Sequence, residues 1–316
     1  MNLAPVLPAL TELVSTDRPV HLALGMFDGV HLGHARVISS SVELASEDGG
    51  LAVVLTFPNH PSHLLAPDSP TPLLMSPEAK AAHLLELGTD HVVLQVFDFA
   101  FSKIEAASFV SRLKELAPSL QSLHVGKNFR FGQGRAGDAA LLSSTAAELG
   151  MQVQVSDPVE FENEPISSSR IRLALSQGDI SSVNNMLGRC YEAVGEVTKG
   201  DGRGIELGFP TLNLPWQPEA SPRHGVYAVK LTSRESGQSW HGVANYGVRP
   251  TFDKEERSPL LETHLFADAE LGPGNLIGVA LHAFLRDEAK FDAVDALREQ
   301  IAKDKASARQ ALGLIA

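Results

Sequence analysis

Two histidines follow a glycine-rich turn near the start of the chain. The segment runs from Gly25 to His34, after the apolar run Val20–Leu24 and before a periodic apolar segment at 37–44. This order predicts a strand, a turn and a helix start, where free backbone N–H groups and the positive end of the helix dipole favour a phosphate. Imidazoles at positions i and i+3 face the same side and can donate to one phosphate. His31 and His34 are therefore candidate phosphate ligands, although a βα turn with solvated histidines has a similar pattern.

Three more polar segments come directly after predicted strands or at a predicted helix start. They are the segments 57–61, 126–132 and 167–172. In open parallel sheets, ligands bind outside the carboxyl ends of the strands. Each segment alone also fits a structural role, since Ser167 or Ser168 could simply cap a helix. Together with the histidine turn, these segments at successive strand ends predict a nucleotide-binding site.

The first 180 residues alternate short apolar runs with amphipathic segments. The predicted strands are Val20–Leu24, Leu51–Phe57, Val92–Phe97, Leu123–Val125 and Gln152–Val155. The predicted helices are His34–Ser46, Pro77–Leu87, Glu105–Leu116 and Ala139–Leu149. Nearly continuous apolar runs are typical of strands that are buried on both faces of a parallel sheet. The alternation predicts an α/β doubly wound, Rossmann-like domain.

The pattern changes after about residue 185. The predicted strands there are Ala193–Thr198, Val226–Leu231, Gly242–Tyr246, Glu262–Phe266 and Ile277–Phe284. Glycine and proline turns separate them, as in a small antiparallel β-barrel. An amphipathic helix at about 293–312 closes the chain. We therefore expect two domains, 1–185 and 186–316, that join near Leu187 and Gly188.

A second glycine-rich segment lies at 195–204 and leads to the polar segment 208–213. Glycines let the main chain approach phosphates, but this spacing matches neither the P-loop nor the protein-kinase pattern, and a tight hairpin fits it equally well. Thr211 and Asn213 point the same way if the chain is extended there. Their oxygen atoms suit Mg²⁺ that is shared with phosphates, although polar turn residues would look the same.

Composition narrows the class of protein. The chain has 316 residues, 43% hydrophobic and 20% charged, as in an ordinary globular protein. A net charge of −12 argues against nucleic acid as a partner, because sequence-independent binding needs a basic surface. Cys190 is the single cysteine, which excludes an internal disulfide. Without an apolar run of about 18 residues or a signal peptide pattern, we expect a cytoplasmic protein that does not engage a membrane.

The motifs of the first half resemble the adenylyltransferase half of bacterial bifunctional riboflavin kinase/FAD synthetases. The matching runs are FDGVHLGH, TFPNHP, VGKNFRFGQGRAGD and ISSSRIR, and the likeness covers nearly all of this half. The family implies attack of an FMN phosphate oxygen on the α-phosphorus of ATP, without a covalent enzyme intermediate. His31 and His34 would stabilise the α-phosphate. The other implied ligands of ATP and its phosphates are Gly25, Phe27, Asp28, Gly29, Ser168, Ser169 and Arg172, and those of the flavin are Asn59, His60, Asn128 and Arg130.

The second half resembles the riboflavin kinase half of the same enzymes. The matching runs include GFPTLNL, HGVYA, GVANYGVRPTF, LETHLF and LRDEAKF. The family implies transfer of the γ-phosphate of ATP to the terminal hydroxyl of riboflavin, with ATP and Mg²⁺ used in both halves and FMN and FAD as products. Glu262 matches the base that accepts the hydroxyl proton. The segment around Lys199, Gly202 and Arg203 would cover ATP, and Thr211 and Asn213 would contact Mg²⁺.

The chain departs from the family pattern at three places. Members often carry proline at the position of Asn59 and threonine at that of Ser169. Ser169 keeps the hydroxyl, whereas Asn59 loses backbone stiffness, which affects flavin binding more than the reaction. The segment 267–278 lacks the aromatic residues that are common in the family, which bears on packing and flavin affinity.

Three other interpretations are open on the sequence. A single competent half, most readily the adenylyltransferase, would explain the unusual 267–278 segment. A silent flavin-binding protein would not need the combination of His31, His34, Thr211, Asn213 and Glu262. A different nucleotidyltransferase or an aminoacyl-tRNA ligase fits the histidine turn alone, but the acidic charge and the second half disfavour it. We expect a monomer or a weak homo-oligomer.

Overall fold

The computed structural model describes residues 6–7, 10–13, 16–200, 204, 208–248, 259–291 and 293–315. The chain divides into two compact units, Met1–Ser168 and Ser169–Ala316. Within the described part of the chain, no helix has both the length and the apolar character needed to cross a membrane.

The first unit is built on a parallel sheet. Its strands are β1 (Val6–Leu7), β2 (Val20–Leu24), β3 (Leu51–Thr56), β4 (His91–Leu94), β5 (Leu120–Gly126) and β6 (Gln152–Ser156). Their order is β1-β4-β3-β2-β5-β6, and every neighbouring pair is parallel. Because β2 lies between β3 and β5, the strand order reverses beside it, and ligands bind at such a switch point. The expected doubly wound α/β architecture is confirmed.

Helices cover both faces of this sheet. They are α1 (Leu32–Asp48), α2 (Ser62–Leu65), α3 (Pro77–Glu86), α4 (Phe99–Ser102), α5 (Ala106–Leu116) and α6 (Ala139–Glu148). Apolar side chains of α1 and α3 pack on one face of the sheet, and those of α5 and α6 pack on the other. Two short 3₁₀ segments, Leu10–Leu13 and Gln133–Arg135, and the hairpin β7 (Glu160–Phe161) and β8 (Glu164–Pro165) complete the unit.

The second unit is an antiparallel sheet preceded by two helices and followed by one. The helices are α7 (Ser168–Gln177), whose first residue ends the preceding unit, α8 (Ile180–Leu187) and α9 (Val294–Ala311). The strands are β9 (Tyr191–Glu196), β10 (Leu212–Pro215), β11 (Gly225–Ser233), β12 (Ser239–Val248), β13 (Pro259–Leu265) and β14 (Leu276–Arg286).

The order of these six strands is β10-β13-β12-β11-β14-β9. The sheet curls until its edges approach, because Thr198, just after β9, forms an antiparallel bridge with Asn213 of β10. Helix α9 packs on one face through Ala308, which lies in a small core with Val226, Ala228 and Val243. This unit confirms the expected antiparallel β domain with a C-terminal helix.

Candidate active sites

The histidine turn joins β2 to α1 and brings the two imidazoles into contact. Nδ1 of His31 accepts a hydrogen bond of 3.3 Å from the backbone N–H of His34, so His31 caps α1. The two rings stack with centroids 3.5 Å apart, and the ring of Phe27 meets His34 edge-on at 5.3 Å. Because Nδ1 of His31 accepts, the neutral ring carries its proton on Nε2. The turn thus offers an imidazole N–H beside the positive end of a helix dipole.

The turn itself has an unusual backbone. Phe27, Gly29 and Val30 have φ angles of 46°, 84° and 40°. A positive φ is costly for a β-branched residue such as Val30, and it persists only where the surroundings hold it. A Cβ on Gly25 would lie 2.8 Å from the ring of Phe27, so only glycine fits there. The strain is concentrated in the segment that presents the histidines.

Asp28 anchors this turn from within. The residue is 1% exposed, and its carboxylate accepts hydrogen bonds from the backbone N–H of Leu74 at 2.9 and 3.2 Å. The hydroxyl of Ser168 donates to the carbonyl oxygen of Asp28 at 2.9 Å. Both residues therefore stabilise the turn.

The loop after β3 lies beside the turn. The hydroxyl of Thr56 donates to the carbonyl oxygen of Met26 at 2.8 Å. Nδ1 of His60 and the hydroxyl of Ser62 lie 2.7 Å apart, which fixes the imidazole ring. Oδ1 of Asn59 is buried without a hydrogen-bond partner among the described residues. The structure brings Asn59 and His60 to the same sheet edge as the histidine turn.

Aromatic rings connect this loop to the loop after β5. The contacting pairs are Phe57–Phe97, Phe57–Phe101, Phe101–Phe109, Phe109–Phe131 and Phe129–Phe131, with centroids 5.0 to 6.3 Å apart. Asn128 and Arg130, on either side of Phe129, are both exposed. The two predicted flavin-binding loops are thus linked by one aromatic series. Such rings suit a flat, apolar heterocycle.

Ser169 and Arg172 belong to α7 in the second unit. Neither residue is fully buried. The hydroxyl and guanidinium groups lie in the first turns of a ten-residue helix, where N–H groups and the dipole favour anions. Their chemistry fits phosphate binding.

Two of the predicted kinase residues, Asn213 and Glu262, lie in one row across the second sheet. Glu262 of β13 pairs with Asn213 of β10 on one side and with Asn245 of β12 on the other. Directly opposite residues share a face, and their Cβ atoms lie about 5 Å apart. Asn213 is 5% exposed. The candidate base is therefore flanked by two side-chain amides.

The segment after β9 covers Asn213 closely. The backbone N–H of Thr198 donates to the carbonyl oxygen of Asn213 at 2.8 Å. A Cβ on Gly200 would lie 2.1 Å from Nδ2 of Asn213, so this approach requires glycine. Lys199 is exposed between these two residues. Gly202 and Arg203 lie outside the described residues.

The donor set at this place fits Mg²⁺ that is shared with a nucleotide. Thr211 and Asn213 offer a hydroxyl and an amide oxygen two residues apart, and Asn213 is next to Glu262 in the strand register. Among the described residues, no group of three or more His, Cys, Asp or Glu side chains could hold a metal by itself. Mg²⁺ commonly takes one or two protein ligands and completes its shell with phosphates and water.

The unusual 267–278 segment packs against the end of β9. The carbonyl oxygen of Asn275 accepts from the N–H of Val197, and the N–H of Gly274 donates to the carbonyl of Val197, both at 2.9 Å. Oδ1 of Asn275 also accepts from the N–H of Gly272 at 2.8 Å. Hydrogen bonds hold this loop without the aromatic residues, and β14 begins at Leu276 near its end.

Two residues of these sites were not identified from the sequence. Asn245 lies in the run GVANYG, which was recognised only as a motif, and its place beside Glu262 depends on strand register. Lys80 lies in the amphipathic helix α3, where a lysine usually indicates the solvated face, yet the residue is 1% exposed. The helical pattern around Lys80 therefore gives no signal of its burial.

Comparison with known proteins matches a different family to each half of the chain. A family described as FAD synthetase matches residues 13–170, and a family described as riboflavin kinase matches residues 187–312. The bifunctional riboflavin kinase/FMN adenylyltransferase of Escherichia coli K12 is 34% identical over 93% of both chains. That of Bacillus subtilis is 35% identical over 91% of this chain and 90% of its own.

A solved structure from Streptococcus pneumoniae, described as a macrolide-efflux protein, has a TM-score of 0.85 and 27% identity. The match covers 97% of this chain and 99% of that one. The two family matches and the long curated relatives lead to one conclusion. The chain belongs to the bifunctional riboflavin kinase/FMN adenylyltransferase family.

Proposed function

We propose that this chain phosphorylates riboflavin to FMN in its C-terminal half and adenylylates FMN to FAD in its N-terminal half. The observation that carries the proposal is that each family match contains its own pair of candidate residues placed side by side. His31 and His34 stack at a helix start on the switch-point edge of the first sheet. Asn213 and Glu262 pair across neighbouring strands of the second.

In the adenylyl transfer, an oxygen of the FMN phosphate attacks the α-phosphorus of ATP. The bond from that phosphorus to the bridging oxygen of the β-phosphate breaks, and pyrophosphate leaves. This reaction needs positioning and charge stabilisation more than a protein nucleophile. Imidazole N–H groups of His31 and His34 donate to the α-phosphate, and Ser168, Ser169 and Arg172 hold the β- and γ-phosphates. The residues assigned to the flavin are Asn59, His60, Asn128 and Arg130, and the backbone that receives ATP includes Gly25, Phe27, Asp28 and Gly29.

In the kinase reaction, the terminal ribityl hydroxyl of riboflavin attacks the γ-phosphorus of ATP. The bond from that phosphorus to the bridging oxygen of the β-phosphate breaks, and ADP leaves. The carboxylate of Glu262 accepts the hydroxyl proton, as a positioned base does. Thr211 and Asn213 would hold Mg²⁺, which neutralises phosphate charge when it is bound. Lys199, with Gly202 and Arg203, covers the nucleotide.

We place the boundary between the two functional halves between residues 185 and 186, close to the end of α8 and the start of the kinase match, both at Leu187. The compact units divide earlier, after Ser168, so α7 beyond its first residue and most of α8 belong to the second unit but to the first functional half. The protein acts on small molecules in the cytoplasm, as a monomer or weak homo-oligomer, without nucleic acid or membrane partners. The net charge of −12 supports the exclusion of nucleic acid.

Isotopically labelled ATP tests the two reactions separately. Riboflavin, Mg²⁺ and ATP labelled at the γ-phosphate should give labelled FMN first and labelled FAD later. With the label at the α-phosphate, FMN should stay unlabelled while FAD becomes labelled. Unlabelled flavins in both reactions would contradict the proposal. Labelled FAD from supplied FMN and α-labelled ATP, without labelled FMN from riboflavin and γ-labelled ATP, would restrict it to the first half.

A further inference from the structure

A lysine is buried beneath the edge of the sheet that carries the histidine turn. Lys80 lies in the first turn of α3, and the residue is 1% exposed. Lysines are almost never fully buried without a partner, because removing an ammonium from water is costly. This cost shows in the pKa of Lys80, which burial lowers to about 8. The contacts of the buried ammonium explain what Lys80 does at this position.

The ammonium of Lys80 joins two backbone segments that carry different parts of the site. Nζ donates to the carbonyl oxygen of Met26 at 3.2 Å and to that of Phe57 at 2.5 Å. Met26 belongs to the turn that presents His31 and His34, and Phe57 begins the loop that carries Asn59 and His60. One side chain therefore connects the turn that is assigned to the phosphates of ATP with the loop that is assigned to the flavin.

Charged and polar groups of the histidine turn and of the end of β3 act on the ammonium of Lys80. The carboxylate of Asp28 faces it from the turn and partly restores its pKa against the effect of burial. From the end of β3, the partners are the carbonyl of Phe57 and the neutral hydroxyl of Thr56, which donates to the same Met26 carbonyl. The turn is thus held by a cation, an anion and a hydroxyl on its buried side.

This support acts on the strained part of the turn. Phe27 and Val30, with positive φ angles, come soon after the carbonyl that Lys80 binds. Strained backbone persists where contacts over-determine it, and it is frequent at functional sites. A catalytic group displaced by about 1 Å can cost roughly 10²-fold in rate.

We propose that Lys80 is a positioning residue of the adenylyl-transfer site, which sets the histidine turn against the Asn59–His60 loop. This inference rests on the proposed adenylylation of FMN. Lys80 touches no reacting atom; it fixes the distance between the group that stabilises the α-phosphate and the loop that holds the flavin. Its loss should therefore lower kcat for FAD formation more than it alters the KM for ATP.

The test compares Lys80→Met with Lys114→Met in the full chain. Lys114 is the matched control, because its Nζ also donates to a backbone carbonyl, that of Leu120 at 2.6 Å. Leu120 is the first residue of β5, whereas the candidate site lies at the carboxyl ends of the strands. The kcat and KM for FMN adenylylation, the rate of riboflavin phosphorylation and the midpoint of thermal unfolding are measured for each. We expect Lys80→Met to lower the adenylylation kcat roughly 10²-fold, with riboflavin phosphorylation within about twofold of the wild type, since α3 belongs to the other unit.

Lys80→Arg and the pH profile separate positioning from stability. Arginine keeps the charge at all working pH values, so this variant should recover part of kcat. The wild-type kcat for adenylylation should decline as pH rises through about 8, and the arginine variant should lack this decline. If Lys80→Met does not fold, the pH profile of kcat in the wild type still tests the role of Lys80.

The proposed function and the role of Lys80 would be overturned by different results. A wild-type chain that makes no FAD from FMN overturns the proposed function. An active wild type with unchanged kcat in Lys80→Met, an equal loss in Lys114→Met, or a wild-type pH profile that is flat across pH 8 overturns the role of Lys80 alone.

Discussion

Asn213 and Glu262 lie directly opposite each other on neighbouring antiparallel strands, β10 and β13. The next strand places Asn245 on the other side of Glu262. Strand register, which fixes which side chains share a face, thus sets the candidate base beside the candidate magnesium ligand. The two residues lie far apart in the sequence. Their pairing gives the kinase half its most direct predictions.

Glu262→Gln should disable the kinase alone. The amide keeps the size of the side chain but cannot accept the hydroxyl proton, so kcat for riboflavin phosphorylation should fall about 10²- to 10⁴-fold. Glu196→Gln, at an exposed position of β9, is the control and should keep kcat within about twofold. Normal phosphorylation by Glu262→Gln, measured by chromatography of FMN, would remove Glu262 from this role.

Asn213→Ala should weaken the response to Mg²⁺. We expect the Mg²⁺ concentration for half-maximal riboflavin phosphorylation to rise about tenfold, as for loss of one ligand contact worth about 1.4 kcal/mol. Asn275→Ala, in the loop before β14, should leave this concentration unchanged. A titration with the same midpoint in the wild type and both variants would show that Asn213 is not a ligand.

Asn59→Ala should change flavin affinity without changing the chemical step. Oδ1 of Asn59 is buried without a partner among the described residues, so a donor from bound flavin would satisfy it. Losing that hydrogen bond, worth about 1 kcal/mol, should raise the KM for FMN about fivefold while kcat stays nearly constant. An unchanged KM for FMN in steady-state adenylylation would place Asn59 outside the flavin site.

Stability should depend on pH through a buried histidine network. His124 is 1% exposed and is linked through Ser122 to His21, with both contacts 2.8 Å long. Burial, with repulsion from His21, lowers the pKa of His124 to about 4. The unfolded chain therefore binds a proton near pH 6.5 that the folded chain does not bind until about pH 4.

The free energy of unfolding should consequently fall by about 3 kcal/mol as pH drops from 6.5 to about 4, apart from the effects of other groups. His124→Gln should lose this part of the pH dependence in urea unfolding. His83→Gln, which changes a histidine paired with Glu86 on α3, should keep it. Identical pH profiles for the wild type and His124→Gln would contradict the assignment.

Local patterns in the sequence predicted most of the fold. β2 has the predicted bounds, Val20–Leu24, and α3 begins at Pro77 as predicted, where the side chain of Ser76 accepts from the N–H of Ala79. Strands of two residues, such as Val6–Leu7 and those of the hairpin at 160–165, are too short to show a period. Periodicity therefore found most of the long elements but missed these short strands and the eight-residue helix α8.

The candidate sites were predictable to the extent that their residues lie in local motifs. His31 and His34 are neighbours on one turn, and their stacking follows from their spacing. Lys80 and Asn245 contribute through tertiary contacts, which a periodic pattern does not encode. A lysine in an amphipathic helix is usually exposed, and only the contacts of its ammonium in the folded chain explain the burial of Lys80.

The central claim is that the two reactions occur at separate sites on one chain. A chromatographic time course with riboflavin, ATP and Mg²⁺, and a second one with FMN, should be compared for the wild type, Glu262→Gln and the double variant His31→Ala/His34→Ala. We expect FMN and then FAD from the wild type, FAD only from supplied FMN with Glu262→Gln, and accumulation of FMN without FAD in the histidine variant. FAD formation at the wild-type rate by the histidine variant, or loss of both activities in either variant, would contradict the account.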